Sequence, residues 1–331
     1  MVATQEVQLS IIVPVYNRPG EVEELLQSLT GQTDRNFEVL IVEDGSSIPC
    51  ETVCRKFKTQ LNLKYYVKPN SGRSETRNYG MERALGNYFL IFDSDCILPP
   101  HYIATVKHAL AEKQIDCFGG PDSANDSFSN LQKAINYSMT SFFTTGGIRG
   151  GMKKADKFSP RSFNMGISKA VFQATGGYKN MIGEDIDLSI RIKASGFDTT
   201  LLREAFVFHK RRVNFRKFFK QVNTFGKGRI LLHRIHKGSL KPVHLLPMFF
   251  VLGHLLLPLL AIIFRNAWLL APIGLYILLI FFDSLRKNKS FAIALLSIPA
   301  AYIQLFGYGL GLIEGLITGK ASQEAQEELY R

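Results

Sequence analysis

Apolar residues in the first hundred positions recur with two different periods. Runs rich in β-branched and aromatic residues occur at LSIIVPV (9–15), FEVLIVED (37–44), LKYYV (63–67) and YFLIFD (88–93), and each predicts a strand. Between the first two, Val22, Leu25, Leu26 and Leu29 recur at i, i+3, i+4 and i+7, which puts them on one face of a helix. Ser74 to Leu85 predicts a second helix, ending at Gly86. Helices alternating with near-continuous apolar strands predict an α/β fold with a doubly wound, mostly parallel sheet covered on both faces. Residues 120–160 lack a strong period and carry Gly146, Gly147, Gly150 and Gly151. That stretch reads as a mobile loop, a partly helical insertion or an ordinary surface excursion.

The pattern changes after residue 244. Leu245 to Phe264 contains twenty residues without a formal charge, long enough to cross a bilayer as a helix. A second apolar run covers 266–282, and a third covers 291–313 after the polar DSLRKNKS. Either three spans or one hairpin plus one span fits. The second run is short and starts two residues after the first ends, which also suits a re-entrant or tilted hairpin. Gly307, Gly311, Gly315 and Gly319 recur every four residues, a stripe that lets helices approach closely. Packing within the chain is favoured over dimerisation. Glu314 beside the stripe marks the end of a span or an interfacial position.

Charge sharpens this picture. The net charge is +12, yet residues 1–204 balance 23 Lys/Arg against 23 Asp/Glu, whereas 205–244 hold 11 Lys/Arg and no carboxylate. Phe215, Phe218, Phe219 and Phe225 interleave with that basic band, a pattern that also suits nucleic acid. Its position beside apolar spans favours membrane lipid, because juxtamembrane basic residues gain about 1 kcal/mol each from anionic headgroups. No nucleic-acid partner is expected. The positive-inside rule puts the band and the Arg286/Lys287/Lys289 loop in the cytoplasm. The expectation is a multi-pass membrane protein with a cytoplasmic α/β domain at 1–208, a basic juxtamembrane helical segment at 209–244, membrane helices within 245–318 and a polar tail at 319–331. If all three runs cross, that tail lies outside. The opening MVATQEVQLS is polar, so no cleavable signal is expected there.

Composition excludes a disordered chain, with 46% apolar and 21% charged residues. Cys50 and Cys54 are one helical turn apart without a second Cys/His pair, short of the four ligands of a structural zinc site. The four thiols read as reduced.

Ligands of doubly wound sheets sit beyond the carboxyl ends of strands. Those ends carry Pro14/Tyr16/Asn17, Glu43/Asp44 and Asp93/Asp95. Neither GxGxxG after the first strand nor GxxxxGK[ST] anywhere is present, so the common dinucleotide and P-loop cradles are absent. In Asp93-Ser94-Asp95, residues two apart in an extended segment point to one side. Two carboxylates there can converge on Mg²⁺ or Mn²⁺ and bridge it to a diphosphate. The bland reading of the same triplet is a solvated turn, although it terminates the most apolar strand.

The runs IIVPVYNRPGEVEELLQSL, VLIVEDGSS, SGRSETRNYGMERALGNYFLIFDSDC, GISKAVFQATGGY and GEDIDLSIRIKASG, in this order over roughly residues 8–230, resemble the family 2 glycosyltransferases. The resemblance implies a GT-A-like fold and inverting transfer from a nucleoside-diphosphate sugar, with a uridine donor as the family tendency. It implies donor contacts at Pro14, Tyr16 and Asn17, base recognition at Asp44, Arg77 near the diphosphate, and a DxD metal motif at Asp93 and Asp95 with Asp95 as the direct ligand. It puts the catalytic base at Asp185, since an attacking hydroxyl must lose its proton. Against that, Glu184 and Asp185 are also what a helix N-terminus favours through its dipole. The strict alternation of Ile186, Leu188, Ile190 and Ile192 reads as strand, whereas Gly196 as a C-cap and the family pattern favour helix.

His209 is either a third metal ligand, as related transferases supply, or simply the start of the basic band. Glu184 and Arg229 are candidate phosphate or acceptor contacts. The Q-x-x-R-W motif of the processive synthases is missing: Gln221 is followed by VNTFGKGR and the one tryptophan is Trp268. The reading is therefore a membrane-anchored, non-processive transferase of polysaccharide biosynthesis with a lipid-linked or cell-surface glycan acceptor, its specificity residing in residues 120–160 and the basic band. Two alternatives remain, a sugar nucleotidylyltransferase, disfavoured by the missing glycine-rich loop, and a non-catalytic membrane scaffold, disfavoured by the intact carboxylates.

Overall fold

The structure, a computed structural model, describes residues 7–123, 128–146, 159–210 and 214–318. Gly147, Gly150, Gly151, Gly319 and the tail 319–331 lie outside the described residues. The chain divides into two units, one formed by Met1–Asn125 with Lys154–Lys210 and the other by Asp126–Lys153 with Arg211–Arg331.

In the first unit, four parallel strands come first: β1 (Leu9–Val15), β2 (Phe37–Asp44), β3 (Asn62–Lys68) and β4 (Tyr88–Phe92). Helices α1 (Pro19–Thr30), α2 (Glu51–Phe57) and α3 (Arg73–Arg83) connect them. There follow β5 (Cys96–Ile97), α4 (Tyr102–Glu112), β6 (Cys117–Gly119) and β7 (Asp122–Ser123). The second unit contributes α5 (Asn130–Thr140) and α6 (Phe142–Thr145), after which the first resumes with β8 (Asn164–Ser168), α7 (Lys169–Thr175), α8 (Glu184–Ala194), β9 (Thr199–Leu201) and β10 (Val207–His209). The main sheet has the order β3-β2-β1-β4-β8-β6-β9, and β8 runs antiparallel to both its neighbours. A small sheet, β5-β10-β7, brings His209 beside Cys96.

Near-continuous apolar strands arise because both faces are covered. Ile11, Val13, Val39 and Ile41 pack with Val22, Leu25, Leu26 and Leu29 of α1, whereas Ile12, Leu40, Phe89 and Ile91 pack with Met81 of α3 and Leu188 and Ile192 of α8. The strand-like alternation in 186–192 is thus overridden: the segment is helical, with Leu188 and Ile192 one turn apart on its buried face. Helix α3 stops at Arg83, before the Gly86 end that its pattern predicts. There the backbone turns away, because the Leu85 N–H donates to Glu38 Oε1 (2.6 Å) and the Gly86 N–H to Ser10 Oγ (2.9 Å).

The second unit adds α9 (Phe215–Ile235), α10 (Leu246–Ile263), α11 (Ala271–Asn288) and α12 (Phe291–Thr318). Three helices, Pro242–Ile263, Ala267–Asn288 and Phe291–Thr318, are long and apolar enough to cross a membrane. The glycine stripe packs within the chain. A Cβ on Gly311 would stand 2.0 Å from the Asn223 carbonyl of α9, and one on Gly226 of α9 would stand 2.2 Å from the Tyr308 carbonyl. Gly311→Ala is therefore expected to destabilise the protein by about 1–3 kcal/mol through overpacking, read as a lower thermal midpoint in detergent. Gly274→Ala, where a Cβ meets nothing within 4 Å, leaves the midpoint unchanged or higher. Equal midpoints for the two variants would refute this packing.

Candidate active site

The strand order 3-2-1-4 puts a topological switch point between β1 and β4, where α/β sheets bind ligands at the carboxyl ends. At the end of β1, Asn17 adopts a left-handed conformation (φ 56°), which Asn tolerates better than most residues. Its N–H donates to Ser46 Oγ at 2.8 Å, and its Oδ1 accepts from Ser47 Oγ (3.1 Å) and the Ile48 N–H (2.9 Å). Glu43, buried at the end of β2, holds the same loop by accepting from Ser46 Oγ, the Cys50 N–H (2.8 Å) and Tyr65 Oη (3.0 Å). Pro14 pairs with Val42 one residue before the end of β1, and Tyr16 is exposed.

Asp44, next along β2, is 3% exposed. Its Oδ1 accepts from Lys68 Nζ (2.6 Å) and the Ser71 N–H (2.9 Å), and its Oδ2 from the Gly72 N–H (2.9 Å). A carboxylate has about four acceptor positions, so one remains.

Arg77, one turn into α3, is 1% exposed. It donates through Nη2 to Asp93 Oδ1 (2.7 Å) and through Nη1 to Glu184 Oε1 (3.0 Å). Arg73 takes the other Glu184 oxygen at 2.8 Å. Asp93 therefore faces Arg77, and Glu184 is committed to two guanidinium groups. Tyr178 lies against Arg77 with its ring centroid 5.1 Å from Cζ. Asn78 fixes that tyrosine by exchanging hydrogen bonds with its backbone N–H and carbonyl, both 2.8 Å. Gly177 is required beside it: φ is +73° and a Cβ would stand 2.4 Å from Asn78 Oδ1. The apolar-looking GGY thus positions the turn that leads into α8.

Helix α8 begins with Glu184, Asp185 and Asp187 in its first turn, where the dipole favours negative charge. Asp187 is fully buried against Arg191 at 2.7 Å. Asp185 is different. Its side chain is 15% exposed, with Oδ2 3.3 Å from Arg161 Nη1 and Oδ1 accepting the Ile186 N–H at 2.8 Å. Burial pushes its pKa up, but Arg161 and Arg73, together with these hydrogen bonds, outweigh burial and hold the carboxyl below the usual carboxylate range. Asp185 is an ionised acceptor at neutral pH.

Asp95, directly before β5, meets His209 of the neighbouring strand β10, with Nε2 3.1 Å from Oδ1. Their donor atoms and Cys96 Sγ lie within 4.8 Å of one another. The hard carboxylate suits Mg²⁺ or Mn²⁺ and His209 adds one nitrogen. Cys96 fits such an ion poorly: it is a soft donor, buried, and donates to the Phe163 carbonyl at 3.3 Å. Phe163 also stacks on His209 at 4.6 Å. The residues present fit a divalent ion held by Asp95 and His209 and completed by ligand oxygens. Arg18, ion-paired with Glu21 at 2.6 Å, approaches Asp95 Oδ2 at 3.9 Å.

Of the sequence candidates, the first unit gathers Pro14, Tyr16, Asn17, Asp44, Arg77, Asp93, Asp95, Glu184, Asp185 and His209. Arg229 belongs to the second unit, on α9. Arg18, Arg73 and Arg161 were not singled out by sequence. Arg73 has a signal in hindsight, one helical turn before Arg77, and Arg18 directly follows the strand-end Asn17. Arg161 has none.

Comparisons with known proteins identify the family and the fold. The family model described as "Glycosyl transferase family 2" matches residues 10–176. The glycosyltransferase AglE of Haloferax volcanii is 24% identical over 253 residues, covering 75% of this chain and 81% of AglE. An uncharacterised glycosyltransferase of Rickettsia conorii is 38% identical over 90 residues, which are 27% of this chain and only 15% of that relative's length. Among solved structures, the mannosyltransferase PcManGT of Pyrobaculum calidifontis, in complex with GDP-Man and Mn²⁺, shares the fold with a TM-score of 0.64, at 17% identity over 92% of this chain and 88% of its own.

Proposed function

The chain belongs to glycosyl transferase family 2, and from that premise we propose a membrane-anchored, inverting, non-processive enzyme that moves a sugar from a nucleoside diphosphate to a lipid-linked or cell-surface glycan acceptor on the cytoplasmic side. The observation that carries this reading is the convergence at one sheet edge of an ionised Asp185, the Arg77–Asp93 pair and the Asp95–His209 pair. The acceptor hydroxyl oxygen bonds to the anomeric carbon while the bond to the diphosphate oxygen breaks. The bonding electrons leave with the diphosphate, and the hydroxyl proton passes to Asp185. Attack from the face opposite the leaving group inverts the configuration.

Asp95 and His209 would hold Mg²⁺ or Mn²⁺, which when bound would supply charge that stabilises the leaving diphosphate, a reading also supported by the Mn²⁺ of the mannosyltransferase that shares the fold. Asn17, anchored through Ser46 and Ser47, shapes the donor loop. Asp44 keeps one acceptor position, which matches a base with a single ring N–H, as in a uridine donor, better than the two adjacent donors of guanine. Arg77 holds its position through Glu184 and lends positive charge toward the diphosphate. The unpaired apolar surface of α10 and α11 supports membrane anchoring.

Diphosphate release from UDP-, GDP- and dTDP-sugars by the detergent-solubilised full chain tests this. Release from one donor with Mn²⁺, abolished by chelator and by Asp95→Ala, is the expected result. Chelator-insensitive release, or an active Asp95→Ala, would sink the metal assignment. Release from no donor, together with no binding of nucleoside diphosphate in the presence of Mn²⁺, would sink the enzyme reading.

A further inference from the structure

We propose that Arg229, His233 and His244 form a phosphate-binding site within the second unit, at the edge of its apolar helices, and that it takes the phosphate of a lipid headgroup or free inorganic phosphate. The inference concerns the second unit by itself and assumes nothing about the reaction.

Charge balance points to a missing anion. Among the described residues of the second unit the only carboxylates are Asp283 and Glu314. Both are committed: Asp283 pairs with Lys287 (2.8 Å) and Arg286 (3.2 Å), and Glu314 with Lys227 (2.5 Å). Arg229 of α9 has no carboxylate left to it, and its Nε is shut off from water without a hydrogen-bond partner. A guanidinium in that state is costly unless an anion reaches it. His233, one turn further along the same face of α9, carries a second buried atom without a partner, Nδ1, and Ser239 Oγ in the connection after α9 is a third.

Another donor comes from the turn Pro242–Leu245 ahead of α10. His244 is 8% exposed, and its Nδ1 accepts the Lys241 N–H at 3.0 Å. That bond fixes the tautomer, since the neutral ring then carries its proton on Nε2. No acceptor for this proton occurs among the described residues. Helix packing sets His244 near Arg229. Tyr302, Phe306 and Gly309 of α12 meet His254, Phe250 and Pro247 of α10 in turn, so the two helices run antiparallel. The same register carried three residues further puts His244 level with Leu312. Gly226 of α9 also packs on Leu312, and Arg229 follows within one turn. The charges of Arg229 and Lys241 both act on His244.

Every group offered is a donor or an imidazole nitrogen that can become one. The guanidinium presents paired N–H groups, and donors arriving from a second element suit a tetrahedral oxyanion, whose oxygens point in several directions, over a planar carboxylate. Location supplies the lipid source. His244 directly precedes the charge-free run that starts at Leu245, which is headgroup depth for a helix that enters a bilayer there. Leu246, Phe249 and Leu252 of α10 are exposed beyond it, an apolar surface for acyl chains.

Equilibrium binding to the detergent-solubilised full chain tests this, with phosphatidic acid in neutral micelles, diacylglycerol as its phosphate-free counterpart, and inorganic phosphate as probes. Arg229→Gln is expected to weaken binding of a phosphate probe by about tenfold, as the loss of a charge-assisted hydrogen bond does. His244→Asn, whose Oδ1 can still accept the Lys241 N–H, weakens it as well. Lys217→Gln, an equal change of charge at an exposed position of the same helix, alters binding by less than about twofold. A loss confined to phosphatidic acid identifies a lipid headgroup, and a loss shared by inorganic phosphate identifies a site for the free anion. Phosphatidic acid bound no better than diacylglycerol with no binding of inorganic phosphate, or equal weakening by Arg229→Gln and Lys217→Gln, would overturn the inference. So would a lower thermal midpoint of Arg229→Gln in phosphate-free detergent, because Arg229 would then serve the fold through a partner of its own.

Discussion

Asp185→Asn is expected to lower sugar transfer by about 10² to 10⁴-fold, the usual contribution of a positioned general base, while the protein stays folded and still binds nucleoside diphosphate. Asparagine keeps the shape and can still accept the Ile186 N–H that Asp185 Oδ1 accepts at 2.8 Å. It loses only the charge and the capacity to take a proton. The loss falls on kcat, because the proton moves in the transition state and not on binding. Transfer at the wild-type rate would exclude Asp185 as the base.

The same carboxylate sets a pH dependence whose sign follows from its surroundings. Arg161 and Arg73 hold its pKa below the usual carboxylate value against the opposing effect of burial. A depressed pKa means that the ionised form persists as the pH falls, so the acid limb of kcat/KM lies below that of an ordinary aspartate and activity is lost only as pH drops through the lowered value. Arg161→Gln removes the nearer cation and leaves burial to act, so the limb is expected to move upward. An acid limb that stays in place would show that Arg161 does not tune the base.

The fold was legible where one physical signal dominated. Strands β1, β2 and β4 are buried on both faces, so their apolar runs stand out, and the i, i+3, i+4, i+7 stripe of α1 faces the same core. Legibility failed where tertiary contacts overrode local pattern. Alternation at 186–192 reads as strand, but the dipole-favoured acids at the start of α8 and the packing of Leu188 and Ile192 make it a helix. The antiparallel β8 and the three-stranded sheet that carries His209 depend on pairings more than forty residues apart, for which sequence periodicity holds no signal.

Within the site, carboxylates at strand ends were readable because apolar strands leave few reasons for acids there. Their partners were not. Asp93 and Asp95 look equivalent as a D-x-D pair, yet one faces Arg77 and the other His209. Likewise Glu184 and Asp185 are adjacent acids with opposite environments, Glu184 clamped by Arg73 and Arg77 and Asp185 open on one side. Only the three-dimensional placement of the arginines separates the clamped carboxylate from the open one.

That clamp carries the second large effect. Arg77 and Glu184 are 1% and 3% exposed, and neither retains solvent to replace a lost partner. Removing one member of a buried, hydrogen-bonded ion pair costs about 3–5 kcal/mol, because the other charge is left uncompensated. Arg77→Met is accordingly expected to destabilise the protein by that amount, with Arg73 alone left to satisfy Glu184. Arg77→Met combined with Glu184→Gln is expected to recover part of the loss, since no buried charge then lacks its partner. Because Arg77 also orients Asp93, which we propose as a donor contact, the double variant is expected to regain stability without regaining donor affinity. Thermal unfolding in detergent beside nucleoside-diphosphate titration separates the two readouts. A single variant as stable as wild type would show that the buried pair is not the linchpin of α3 and α8, and full donor affinity in the double variant would show that Arg77 serves the fold alone.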